Sequence, residues 1–177
     1  MAALTRPGPR QLRALLRSAW RHAEAAERAR RVEHGIEVIE RLGVGVIQSH
    51  DASYPAVLHH LHDPPPLLFA RGRLELLDRT ILGIVGTRRC TRDGRDFTHE
   101  IASAVVRAGG AVVSGLALGI DGAAHQGALP DTIAVLGAGI DVVQPPSHRT
   151  LHEQIAEEGL LLTEYPPGSE ALPFHFP

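Results

Sequence analysis

The feature that most constrains this chain is a regular alternation of short apolar runs and amphipathic segments between residues 80 and 163. The apolar runs have the length of strands, and the segments between them have the apolar spacing of helices. We predict strands at 81–85, 111–113, 132–136 and 160–163, and helices at 97–108, 120–129 and 151–158. Strands that alternate with helices form right-handed crossovers and a parallel sheet. The expected fold is α/β, with a Rossmann-like, doubly wound, mostly parallel sheet.

The N-terminal part of the chain lacks this alternation. One amphipathic helix is expected over 9–31 and a second over about 33–42, followed by a strand at 45–48 and an extended run at 67–70. Prolines at 64–66 end the helical turn before that run, because proline cannot continue a helix. We therefore predict a small N-terminal helical and extended subdomain over 1–72, and a Rossmann-like domain over 73–177.

Charge is divided unevenly along the 177 residues. Every Lys or Arg position is Arg; residues 1–41 hold nine Arg and five Glu, whereas residues 42–177 hold nine Arg and fifteen acidic residues. The α/β part is therefore not a generally basic surface, and local groups must hold any polyanion that it binds. The Arg side chains of the 9–31 helix are interpreted first as a solvated face and second as a nucleic-acid contact.

Two further features of the sequence concern its compartment. The chain has no apolar run of bilayer-spanning length and no N-terminal stretch of the signal-peptide type. A single cysteine, Cys90, allows neither an internal disulfide nor a cysteine-based zinc site. We expect a soluble, cytoplasmic protein without a membrane partner.

Three glycine-rich turns follow the first three predicted strands of the α/β part. In a parallel sheet such turns meet at one edge, where ligands bind. Glycine lets backbone N–H groups approach a ligand closely, and N–H groups at a helix N-terminus attract anions. Thr87 and Arg88 add a hydroxyl donor and a guanidinium that matches phosphate oxygens. The residues predicted to form a phosphate-binding crevice are Gly86, Thr87, Arg88, Arg89, Ser114, Gly115, Leu116, Gly119, Asp121, Gly137 and Gly139.

The residues give little support for enzymatic or metal chemistry. The glycine spacings match neither the dinucleotide-binding motif nor the nucleoside-triphosphate loop. Asp121 and His125 are four apart on a predicted helix and Ser114 precedes them, but Ser114 lacks the turn motif of a serine nucleophile. The histidines at 59, 60 and 62 have no evident further ligand. We expect no catalytic residue, no metal site and no cofactor.

Several segments together resemble the DNA-processing protein A (DprA, or Smf) family. Gly-Ile-Val-Gly-Thr-Arg at 83–88 is similar to the family's Val-Gly-Ser/Thr-Arg motif, and Ser-Gly-Leu-Ala-Leu-Gly-Ile-Asp-Gly at 114–122 lies within its longest signature. Further similar segments lie at 51–55, 63–65, 132–141, 164–168 and 176–177. The resemblance covers about residues 36–177, and the combination is far more specific than any single segment.

This resemblance implies a protein that binds single-stranded DNA, largely through phosphates, in natural transformation and recombination. It also implies RecA as a partner that the protein loads onto DNA, a homodimer, and no enzymatic turnover. Gly86, Thr87 and Arg88 correspond to the family's phosphate contact.

The sequence also departs from the family pattern. Family members continue beyond the last residue, so we expect a C-terminally truncated domain that leaves an apolar strand as an open edge and does not form the homodimer. Leu118 stands where the family often has Arg or Lys. His148 ends a segment that is usually Tyr-Pro-x-x-Asn.

Other functions stay open on the sequence alone. A related Rossmann enzyme of the LOG type cleaves nucleotides, although its Pro-Gly-Gly-x-Gly-Thr-x-x-Glu motif is absent here. A nucleotide-binding protein of the same fold would hold one small ligand in the crevice. A non-functional truncated fragment is the remaining alternative.

Overall fold

The computed structural model describes residues 7–175, apart from the side chain of Phe174, and it divides into two compact units. The first unit contains the described residues up to Arg71, together with Gly137–Val142 and the described residues from Thr163 onward. The second contains Gly72–Leu136 and Val143–Leu162. The family-like segment at 176–177 lies outside the described residues. Between residues 7 and 175 we find no helix with the length and hydropathy of a membrane span.

In the first unit, two helices pack as a hairpin: α1 (Pro9–Ala19) and α2 (Ala25–Leu42). The prediction of one helix over 9–31 is therefore wrong. Leu16 of α1 is fully buried, and a Cβ on Gly35 of α2 would lie only 3.1 Å from Leu16 Cδ1. Apolar periodicity indicates which face of each helix is buried. It does not show that the chain reverses direction at 20–24, which follows from the packing of the two apolar faces against each other.

The first unit also contains an antiparallel pair of strands, β1 (Gly45–Gln48) and β2 (Leu67–Gly72). Gly45 lies opposite Ala70 in this pair. In the connection, the buried Tyr54 donates its hydroxyl to the carbonyl of Pro65 at 2.8 Å. This bond orders a segment that is rich in proline and has little regular structure.

The second unit is built around four parallel strands: β3 (Ile81–Gly83), β4 (Ala111–Ser114), β5 (Thr132–Val135) and β6 (Leu160–Thr163). They lie in the order β6-β5-β4-β3. Three helices connect them: α3 (Arg92–Arg107), α4 (Ile120–Ala128) and α5 (Arg149–Glu158). Parallel strands joined through helices confirm the predicted α/β, Rossmann-like class.

Small side chains form much of the core of the second unit. Ala102 of α3, Val112 of β4, and Ala124 and Ala128 of α4 are buried together. α3 begins five residues earlier than predicted, because Thr91 caps its N-terminus by accepting a hydrogen bond from Gly94 N at 3.1 Å. The cap places an extra helical turn beside the first glycine-rich turn.

β3 forms the edge of the parallel strands. Among the strands of the described residues it pairs only with β4, and it is shorter than predicted. Its side chains Ile81 and Leu82 are 38% and 43% exposed, and Val85 just beyond it is 77% exposed. Among the described strands, β3 is therefore a partly exposed apolar edge.

Candidate functional site

The turn after β3 (86–89) and the turn after β4 (114–122) are held together by Asp121, whose side chain is buried. The Asp121 carboxylate accepts hydrogen bonds from Gly86 N at 3.3 Å, Gly115 N at 3.2 Å and Ala117 N at 3.4 Å. These N–H groups therefore already have an acceptor inside the protein. This corrects the expected roles, because Gly86 and Gly115 donate to Asp121, and a carboxylate has no proton to donate to a phosphate.

Leu116 forms the buried part of the second turn. Its backbone is left-handed, with φ 57, and its side chain is fully buried. Its N–H donates to His125 Nε2 at 3.2 Å, and its carbonyl accepts a hydrogen bond from His148 Nδ1 at 3.1 Å. Two histidines thus hold the peptide groups on both sides of a residue in a disfavoured conformation. Leu116, predicted as a phosphate-binding residue, instead shapes the turn.

His125 lies fully buried under this turn. Since its Nε2 accepts from Leu116 N, its Nδ1 carries the proton and donates to Thr132 Oγ1 at 2.7 Å, and the Thr132 hydroxyl donates to Val112 O at 3.2 Å. Burial, and to a smaller extent the charge of His148, lowers the pKa of His125 to about 3. His125 is therefore neutral at physiological pH and ties the turn to β4 and β5.

The possible Ser-His-Asp arrangement is not formed in this geometry. Ser114 is buried and donates its hydroxyl to Ile84 O at 2.6 Å. Asp121 and His125 bond to the backbone and Thr132 as described above, so no relay joins the three side chains within residues 7–175. All three support the turns. In the same part of the chain, no group of three or more His, Cys, Asp or Glu is placed to hold a metal ion.

Gly119 lets the two turns approach each other closely. It has φ 81, and a Cβ at this position would lie 2.3 Å from the carbonyl oxygen of Thr87. The same Thr87 carbonyl accepts a hydrogen bond from Ile120 N at 3.2 Å, at the start of α4. The Thr87 hydroxyl accepts from Arg89 N at 3.1 Å, which leaves its own proton to donate. The exposed residues of the first turn, Thr87, Arg88 and Arg89, thus rest on the second.

Above Gly119 lies an open cleft of about 340 Å³ within the second unit. Four elements supply its polar lining: Arg88 comes from the first turn, Arg95 from α3, Gln126 from α4, and His148 from the short 3-10 helix before α5. Leu118, Gly119, Gly122 and Ala123 complete the wall. Two guanidinium groups, an imidazole and an amide around one cleft suit an anionic ligand that also accepts hydrogen bonds.

The structure brings only two of the predicted site residues, Arg88 and Gly119, into the lining of this cleft. Sequence reasoning missed Arg95, Gln126 and His148. The signal for Arg95 was Thr91, because a helix that starts after this N-cap places Arg95 on its first turn, facing the glycine-rich turn. No comparable signal was available for Gln126 and His148, which reach the cleft only through the tertiary fold.

The third predicted turn, with Gly137 and Gly139, belongs to the first unit. Gly139 is buried, and its N–H donates to Ser169 O at 2.9 Å. Asp141 accepts from Gly168 N at 2.8 Å and lies 3.2 Å from His34 Nε2. The turn is therefore packed against a loop and α2 of its own unit. Its convergence with the other two turns on one crevice stays a prediction.

The cleft and turns lie in a chain with clear relatives. A family model described as DNA recombination-mediator protein A matches residues 45–177. The chain belongs to this family. Protein Smf of Synechocystis sp. is 46% identical over 134 residues, which are 72% of this chain and 34% of that protein. The DNA processing protein DprA of Streptococcus pneumoniae is 41% identical over 130 residues, which are 72% of this chain and 46% of that protein.

Solved structures agree with this membership. DprA from Streptococcus pneumoniae superimposes with a TM-score of 0.73 at 33% identity, over 89% of this chain and 53% of that one. DprA from Helicobacter pylori, described with a unique single-stranded DNA binding mode, gives a TM-score of 0.71 at 31% identity, over 75% of this chain and 60% of that one. The chain spans less than half the length of the two relatives compared by sequence. The predicted resemblance to the DprA/Smf family is confirmed.

Proposed function

We propose that this chain binds single-stranded DNA and acts in the DNA processing of natural transformation and recombination. The observation that carries the proposal is the meeting of Arg88 and Arg95, from two different elements, in one cleft. The chemistry of such a pair fits successive phosphates, because each guanidinium offers a fork of donors that matches phosphate oxygens. Family membership and the DNA binding described for the Helicobacter pylori relative support the same ligand.

The predicted site residues of the first two turns take two kinds of role in this proposal. Thr87, Arg88 and Arg89 are exposed and provide donors to phosphate oxygens. The residues that hold these three in place are Gly86, Ser114, Gly115, Leu116, Gly119 and Asp121. Phosphate contacts carry no sequence information, so binding is expected to be indifferent to base sequence.

The test compares a labelled oligo-dT strand with a panel of mononucleotides by fluorescence anisotropy. Arg88→Ala and Arg95→Ala should each weaken oligo-dT binding by about 10- to 100-fold, the range for one lost hydrogen bond to a charged group. Arg107→Ala is the matched control, because Arg107 is exposed in the last turn of α3, whereas Arg95 lies in its first turn. Its affinity should stay within about twofold of wild type.

Each result of this binding experiment favours a different function. Unchanged affinity in both cleft variants would refute the cleft as the DNA site. Mononucleotides that compete as well as oligo-dT would favour a single-nucleotide ligand, and release of free base from them would establish a LOG-like enzyme instead.

We also propose RecA as a protein partner, a proposal that rests on family membership alone. The expected result is faster assembly of RecA on a single strand incubated with this chain than on the same strand incubated with the Arg88→Ala variant. Equal assembly rates with both proteins would remove RecA loading from the function of this chain.

A further inference from the structure

His148 has two faces with different tasks. A carbonyl oxygen can only accept, so the contact of 3.1 Å from His148 Nδ1 to Leu116 O places a proton on Nδ1. This bond holds the left-handed Leu116 from its carbonyl side. The other ring nitrogen, Nε2, is therefore the one whose protonation can change without loss of the bond to the turn.

The Nε2 side of the ring lies against Gly122 in the wall of the cleft. A Cβ added to Gly122 would stand 2.8 Å from His148 Cε1 and 3.2 Å from Nε2, so glycine at this position makes room for the ring. The same cleft is lined by Arg88 and Arg95. An imidazolium at His148 would thus add a third cation to two guanidinium groups around one anion.

We propose that His148 is a phosphate-contact residue that binds through its protonated Nε2, so that the chain holds single-stranded DNA more tightly as the solution becomes more acidic. This inference rests on the proposed function of the cleft. An imidazole ordinarily changes charge between pH 5 and 8. Without DNA, the guanidinium charges of Arg88 and Arg95 disfavour a positive charge on His148. A phosphate bound between them would favour that charge. Proton uptake and DNA binding are therefore linked.

The neighbouring titratable groups do not provide this effect. Burial and the charge of His148 keep the pKa of His125 at about 3, so His125 stays neutral throughout the range in which the effect is expected. Asp121 is buried, and backbone N–H groups hold its carboxylate. Arg88 and Arg95 keep their charge at every pH of interest. Among the residues that line the cleft, His148 is the one with an imidazole ring.

The experiment measures oligo-dT binding by anisotropy between pH 8.0 and 5.5 at fixed ionic strength. If DNA raises the proton affinity of the ring by up to about one pKa unit, wild-type binding tightens by about 3- to 10-fold over this range. His148→Asn is the matched variant: its amide N can take the place of Nδ1 as donor to Leu116 O, but it has nothing at the position of Nε2. Its affinity should be independent of pH.

Two control variants test whether the pH dependence of binding arises from His148. His60→Asn changes an exposed histidine of the first unit and should keep the wild-type pH dependence. His148→Gln, whose amide can reach the position of Nε2, should bind at a constant intermediate affinity. Thermal melts at both ends of the pH range confirm that each variant is folded.

A measurement on the wild type alone complements the variants. The ring resonances of His148, assigned by their absence in a histidine variant, should titrate at higher pH with oligo-dT than without it. A pH dependence that persists in folded His148→Asn, or a ring titration that DNA leaves unmoved, would overturn this proposal while DNA binding stands. Absence of binding by folded wild type at every pH would instead overturn the proposed function, and this inference with it.

Discussion

Replacing Asp121 tests whether one buried carboxylate holds the two glycine-rich turns together. The side chain is 6% exposed and accepts from three backbone N–H groups at 3.2–3.4 Å. Hydrogen bonds to a charged group contribute about 1.5–3 kcal/mol each, and these long ones belong at the lower end. Asp121→Ala leaves all three donors without their acceptor, so we expect a loss of about 3–5 kcal/mol in the free energy of unfolding.

Asp121→Asn should lie between wild type and Asp121→Ala. Two of the three N–H groups, those of Gly115 and Ala117, donate to the same oxygen, Oδ2. The amide therefore binds best with its oxygen at Oδ2 and its NH₂ facing Gly86 N, where two donors oppose each other. One lost hydrogen bond and this repulsion predict a loss of about 2–3 kcal/mol.

Urea unfolding followed by circular dichroism measures both losses. Asp96→Asn serves as the control, because Asp96 is 66% exposed on α3 and lies 3.7 Å from Arg92 in an exposed pair. Its effect should stay within about 0.5 kcal/mol. An Asp121→Ala protein that loses less than about 1 kcal/mol, or an Asn variant less stable than the Ala variant, would refute the reasoning.

Three further predictions concern Gly119, Arg73 and His125. Gly119→Ala places a Cβ 2.3 Å from a backbone oxygen and should prevent stable folding, whereas Gly109→Ala, with φ 85 and open space around it, should cost about 1 kcal/mol in thermal or urea unfolding. Arg73→Ala removes a bond of 3.0 Å to Asp131 and two bonds to backbone carbonyls, so unfolding should become easier by about 1–3 kcal/mol; no change would refute a role for this cluster. Folding lowers the pKa of His125 from 6.5 to about 3. Between these two pH values His125 is protonated in the unfolded chain and neutral in the folded protein. Stability should therefore fall with acidification between pH 6.5 and about 3, by up to about 1.4 kcal/mol per pH unit, and His125→Gln should show a shallower fall in a urea series; identical slopes would contradict it.

The α/β part could be predicted because its signal is local. β4, β5 and β6 lie within one residue of their predicted bounds, since a buried parallel strand is a continuous apolar run. The prediction of one helix over 9–31 is wrong because apolar periodicity does not show where the chain reverses direction between two helices. The start of α3 was predicted too late because its apolar spacing begins only at Phe97, whereas the N-cap at Thr91 sets the first residue of the helix.

The candidate site could be predicted only in part. Gly119 and Arg88 were found because glycine at a turn and arginine beside it are readable from the sequence. Whether a turn offers its N–H groups to a ligand or to an internal carboxylate depends on where Asp121 points, which spacing does not determine. The predicted domain boundary near residue 72 also stays a prediction, because sequence order does not reveal which later segments join the N-terminal helices.

The occupation of the turn N–H groups by Asp121 has a consequence for the motion of a bound strand. A site made of backbone donors fixes an anion at one place, since those donors move only with the fold. Arg88 and Arg95 line the cleft with long side chains, and a guanidinium can follow its partner over several ångströms by rotation about its own bonds. With such side-chain contacts, the binding energy would change little as the strand shifts along its own direction. If the cleft holds a single strand as proposed, its phosphates would advance by small steps, with each guanidinium passing from one phosphate to the next.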